Sequence, residues 1–223
     1  MKKTSLAGFT LIEMLVVISI IIVLASFAGP AIFSALAKGQ MTGSVNNSRQ
    51  LYLAAQQMAL DGATNSDSTR TWPGDDATTI KDLPAYCSQL VTNGYLNTGD
   101  LQKLLSAPGA VCTASSATAN NVTTVTLGGT SALKVYPVKE VDSTNTIFAV
   151  TSNYTYNNNL NGSAAPYGDK GFVVQRKGGD AALLKSNNAT GTGTTFQSVV
   201  GRRPGDPDGN PGTGDPNGVL KFP

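Results

Sequence analysis

Gly8-Phe9-Thr10-Leu11-Ile12-Glu13-Met14-Leu15-Val16-Val17 decides the architecture, because every charge near it comes before a long run that has none. Lys2 and Lys3 precede the stretch, Glu13 is its one carboxylate, and Met14 to Ala37 gives 24 uncharged residues. As a helix at roughly 1.5 Å per residue the run extends about 36 Å, against a hydrocarbon core of about 30 Å. It is long enough to cross a bilayer. A carboxylate at the mouth of such a span is costly in lipid and asks for a cation beside it.

A secretory signal places its apolar core before a small-residue cleavage site. Here the order is reversed. Cutting between Gly8 and Phe9 would leave the apolar helix attached to the product. In this order, and in the residues Gly8-Phe9-Thr10-Leu11-Ile12-Glu13, the segment resembles the class III signal of type IV pilins and type II secretion pseudopilins. The resemblance implies cleavage after Gly8 and methylation of the new N-terminal Phe9 by a prepilin peptidase. It gives Glu13 a role in filament assembly, and Pro30 falls where these proteins commonly carry a proline. It covers about the first 35 residues of 223.

Physical chemistry leads to the same place for Glu13. Cleavage removes Lys2 and Lys3, taking Lys+Arg from 16 to 14 against 14 Asp+Glu, and it exposes an α-amine on Phe9. That amine, or a neighbouring subunit's, is the cation a buried carboxylate needs. The plain alternative is an acid snorkelling from the end of a membrane anchor. Pro30, next to Gly29, predicts a kink or an unwound stretch between about Ile22 and Ala31, since proline removes one helical hydrogen bond and crowds the preceding turn.

Lys2 and Lys3 before the span, with only Lys38 just after it, place the N-terminus in the cytoplasm of a single-pass inner-membrane protein. The remainder then faces the periplasm or the cell surface. Its two cysteines, Cys87 and Cys112, suit a disulfide in that compartment, closing a loop of about 25 residues and contributing roughly 3 kcal/mol; two buried thiols are the alternative. Charged residues are 13% of the chain and near balance, which argues against nucleic-acid binding. Histidine is absent, so the commonest general base and every Ser-His or Cys-His pairing are excluded. Asp75 and Asp76 are adjacent in a turn-like Trp-Pro-Gly-Asp-Asp stretch, and nothing marks them as a catalytic pair. The chain reads as no enzyme.

Periodicity supplies the rest. Residues 38–61 form an amphipathic helix with Met41, Val45, Tyr52, Ala55 and Ala59 on one face and Gly62 as its C-terminal cap. Residues 62–120 read as a long connection stapled by the cysteines, with short helices at Ile80–Leu90 and Gly99–Leu105, the second capped by Thr98. Strands are predicted from Asn121 onward: Val122–Leu127, Leu133–Val138, Thr146–Thr151, Gly171–Arg176, Ala181–Leu184 and an edge strand at Thr195–Val200. The fold class is therefore α+β. A leader (1–8), a membrane-spanning helix (9–37) and a pilin-like roll (38–223) follow one another, the roll laying its amphipathic helix on an antiparallel sheet (121–200).

Residues 201–223 contain Gly or Pro at 11 of 23 positions, which rules out regular structure. Asp206, Asp208 and Asn210 alternate with turn residues and Asp215 follows, a spacing of hard oxygens that suits calcium. Gly209 in the fourth place and the missing closing Glu depart from an EF-hand loop. The resemblance adds that major pseudopilins of type II secretion carry calcium in their C-terminal loops; a solvated linker is the alternative. Nothing in the sequence requires a cofactor, and calcium is the one that the tail suggests. Arg202-Arg203 reads as a solvated pair. The expected function is structural: a subunit of a type II secretion pseudopilus or of a surface type IV pilus, or else a tethered binding module. Its expected partners are its own copies, the prepilin peptidase and an inner-membrane assembly platform.

Overall fold

The computed structural model describes residues 8–206, 211–215 and 218–223. Helix α1 runs Leu11–Asn65, and the chain divides into two compact units, one ending at Gly39 and the other comprising Gln40–Pro223. In the first unit every large apolar side chain from Leu11 to Leu36 is exposed. An 18-residue window of α1 reaches a mean hydropathy of 2.8 with none of it buried, so this helix is long and apolar enough to cross a membrane. Two of the hydroxyls inside the run turn back onto the helix: Ser19 donates to Val16 O and Ser26 to Val23 O, each at 2.7 Å. Neither needs a partner from outside the helix. Of the kink or unwound stretch expected at Gly29-Pro30, the unwound stretch is absent, since α1 is continuous there. One missing hydrogen bond inside so long a helix leaves the turns on either side intact.

In the second unit α1 buries Met41, Ser44, Ser48, Leu51, Tyr52, Ala55 and Met58, a stripe at three- and four-residue spacing. Ser44 belongs to it despite its polarity, because its hydroxyl shares a 2.5 Å hydrogen bond with the Tyr167 hydroxyl. Gly62 does not cap the helix, which continues three residues further. Its requirement is space: a Cβ there would lie 1.9 Å from Arg70 O.

Helices α2 (Leu83–Thr92) and α3 (Thr98–Leu104) follow, capped by Asp82 and Asn97 through side-chain bonds to Ala85 N and Asp100 N. Asn97, and not Thr98, is therefore the second cap. The segment expected to be pure connection then forms a strand, β1 (Cys112–Ala119), paired antiparallel with β2 (Val122–Gly129). Asn120 and Asn121 between them have φ of +50° and +62°, the left-handed pair that a two-residue hairpin turn needs. Side chains cover much of this ribbon's outer edges. Ser88 and Thr92 of α2 accept from Val125 N and Thr123 N, and Ser106 accepts from Cys112 N.

The main sheet is the antiparallel meander β3 (Leu133–Val135), β4 (Ile147–Thr151), β5 (Phe172–Arg176) and β6 (Ala181–Leu184), in sequence order. Every residue of β4 and β5 is buried. Phe148 meets Tyr52 of α1 on one side, while Phe172 stacks on Tyr154 on the other at 4.0 Å. Both faces are covered, which is why Ile147–Val150 and Phe172–Val174 are unbroken apolar runs where a one-sided sheet would alternate. Residues 195–200, expected as an edge strand, lie instead in helix α4 (Gly193–Val200), which buries Phe196, Gln197 and Val200 at a helical spacing.

Candidate functional site

Helix α1 begins at Leu11, and Gly8, Phe9 and Thr10 lie outside any regular element. The start is fixed by a reciprocal pair of bonds. Thr10 N–H and Thr10 Oγ1–H each donate to Glu13 Oε2 at 2.7 Å, and Glu13 N–H donates back to Thr10 Oγ1 at 3.3 Å. This is a capping box, with Thr10 at the N-cap and Glu13 three residues on. It satisfies two amide donors that a helix start otherwise leaves open. The Gly8–Phe9 bond therefore sits one residue before the cap, in exposed chain outside any regular element. A peptidase needs its scissile bond outside a helix, and the box puts it there.

Residues 5–29 match the family described as the prokaryotic N-terminal methylation motif. This chain carries the class III prepilin signal. The signal is that of type IV pilins and pseudopilins, and it implies processing by a prepilin peptidase and filament assembly. No curated protein and no solved structure matches the chain. Within the prepilin signal Glu13 faces Thr10, and the Gly8–Phe9 bond, where the sequence leads one to expect the cut, lies just before that pair. Pro30 lies inside the helix 17 residues beyond Glu13. Thr10 escaped the sequence reading, although Ser/Thr-x-x-Glu before an apolar run is its signature.

Cys87 on α2 and Cys112 at the start of β1 belong to one fully buried cluster. They are free thiols in the structure, where the sequence predicts a bridge. Burial pushes the Cys87 thiol up, with the neighbouring Cys112 adding to it, and burial likewise raises Cys112. Neither ionises readily in the folded state, since burial disfavours the charged thiolate.

Of the four oxygen ligands expected in the tail, Asp208 and Asn210 lie outside the described residues. The other two are already engaged. Asp206 accepts from the Arg203 guanidinium at 3.0 and 3.3 Å. Asp215 accepts from the Tyr136 hydroxyl at 2.5 Å and from Lys134 Nζ at 3.4 Å. Burial and the Asp215 carboxylate push the Tyr136 phenol well above its usual range, so it remains a donor. Among the described residues no group of three or more carboxylates or cysteines is arranged to hold a metal. Arg203 is thus an internal residue with its side chain 11% exposed, and the solvated pair expected at this point is corrected. Asp76 serves its local turn, accepting from Thr78 and Thr79, whereas Asp75 ties that turn to a distant segment by accepting from Glu140 N.

Proposed function

We propose that this chain is a structural subunit of a pilus-like filament, either a type II secretion pseudopilus or a type IV pilus. The observation that carries the reading is the continuity of three parts: an exposed Gly8–Phe9 bond, the Thr10–Glu13 capping box directly after it, and the uncharged helix that follows. In this reading the chain is held in the inner membrane with Lys2 and Lys3 on the cytoplasmic side. Prepilin peptidase cuts after Gly8 and methylates Phe9, and the platform beneath the filament draws the helix out of lipid. The exposed apolar side chains of α1 then pass from lipid to the helices of neighbouring copies, keeping their surface out of water throughout. The test is to shear filaments from cells and read the N-terminus of this chain by mass spectrometry. N-methylated Phe9 as the first residue is the expected result. An unprocessed chain found only in the membrane overturns the proposal.

The same reading extends to the cysteines. On the exported side of the membrane, Cys87 and Cys112 each give up a proton and together pass two electrons to a disulfide-bearing oxidant, joining α2 to the root of the hairpin. Burial makes later exchange slow, so oxidation takes place before the core closes. Alkylating the denatured protein from cells is expected to label neither sulfur until reductant is added. Two adducts without reductant would mean that the thiols persist.

A further inference from the structure

The C-terminal loop is where the sequence suggests calcium, and its described residues, Asp206 and Asp215 among them, are already engaged and do not fit one. We infer that the Arg203 guanidinium occupies the place of that metal and orders the loop itself. Its five N–H donors are all used. Nε and Nη2 form a fork on the Asp206 carboxylate at 3.3 and 3.0 Å, Nη2 also donates to Pro211 O at 2.9 Å, and Nη1 donates to Gly214 O at 2.7 Å and Thr213 O at 3.3 Å. One carboxylate and three backbone carbonyls converging on a point is a donor set a hard cation would take. Here a permanently charged side chain already holds it.

The surroundings are shaped for a planar cation. The guanidinium carbon lies 4.7 Å from the centroid of the Tyr156 ring, a cation–π distance that a hydrated metal does not exploit. Gly212, at φ +56°, passes so close that a Cβ there would come within 2.7 Å of Arg203 Nη2. The loop is also tied back independently of Arg203, by Gly214 N–H to Tyr156 O and Asn157 Nδ2–H to Gly212 O, both at 2.8 Å. A divalent ion entering this cage would meet a fixed positive charge and would have to displace five hydrogen bonds. Ordering of residues 211–215 is therefore independent of calcium.

The experiment follows amide hydrogen exchange of residues 211–215, together with thermal melting, for the full chain in detergent with millimolar calcium or with chelator. Wild-type traces are expected to superimpose in the two buffers. Arg203→Ala is expected to speed exchange of the segment by at least about tenfold in both, since hydrogen bonds to charged groups are among the strongest. Arg203→Lys keeps the charge but loses the fork and is expected to fall between; it decides the matter should the alanine variant fail to fold. Calcium that raises the wild-type melting temperature or slows exchange at 211–215 overturns the inference. So does wild-type exchange in the lysine variant.

Discussion

Glu13→Ala is expected to leave cleavage after Gly8 largely intact and to abolish filaments. The structure shows the precursor arrangement, in which the carboxylate is held by Thr10 N–H and Thr10 Oγ1–H at 2.7 Å each. Losing that box costs about 1 kcal/mol of helix start, too little to stop assembly. Cleavage changes the balance. It leaves a positive α-amine on Phe9, one residue before Thr10, and an unpaired charge in a low-dielectric setting costs about 3–5 kcal/mol. Repeated at every subunit, a penalty of that size prevents growth. Glu13→Gln separates the two effects, because glutamine serves at the same place in a capping box but carries no charge. Glutamine is therefore expected to fail as alanine does. Filaments built from processed Glu13→Gln subunits would show that Glu13 matters for helix geometry and not for charge.

The N-terminal signal was legible because its chemistry is local: a small residue, a cap, an acid and a span, all within one stretch of chain. The main sheet was legible for a similar reason, since Ile147–Thr151 and Phe172–Arg176 are dense in β-branched and aromatic residues. Where the reading failed, the deciding partner lay elsewhere. Cys112–Ala119 is mostly Ser, Thr and Ala and makes a strand only because the Asn120-Asn121 turn brings Val122–Gly129 against it. Residues 195–200 alternate weakly enough to pass for a strand, yet Phe196 and Val200 are four apart and face one core. Gly62 looked like a cap, and its reason, the close approach of Arg70 O, comes from a loop that folds back. Arg203 looked solvated because three of its four partners, the carbonyls of Pro211, Thr213 and Gly214, are backbone atoms that leave no mark in side-chain identity.

Phe148→Ala is expected to be the most damaging single change in the second unit, Gln40–Pro223. Phe148 is fully buried and meets Tyr52 edge-on at 5.8 Å and Trp72 edge-on at 5.9 Å, while those two rings lie 6.0 Å apart. The trio joins α1, the connection after it and β4 at one point. Tyr52 and Trp72 cannot move in to fill the gap, because each is tethered by its polar end: Tyr52 OH donates to Lys177 O at 2.7 Å and Trp72 Nε1–H to Glu140 Oε2 at 2.5 Å. The cavity therefore stays open. Truncating a buried phenylalanine costs about 3–5 kcal/mol, set against a typical domain stability of 5–15 kcal/mol. Trp72 is the chain's one tryptophan and is 5% exposed, so its emission reports on this junction directly. The urea midpoint followed by that emission is expected to fall by about 2 M, taking a slope of about 2 kcal/mol per molar. A fall of less than about 0.5 M would mean that the three elements are held together elsewhere, with the aromatic trio filling space without carrying the junction.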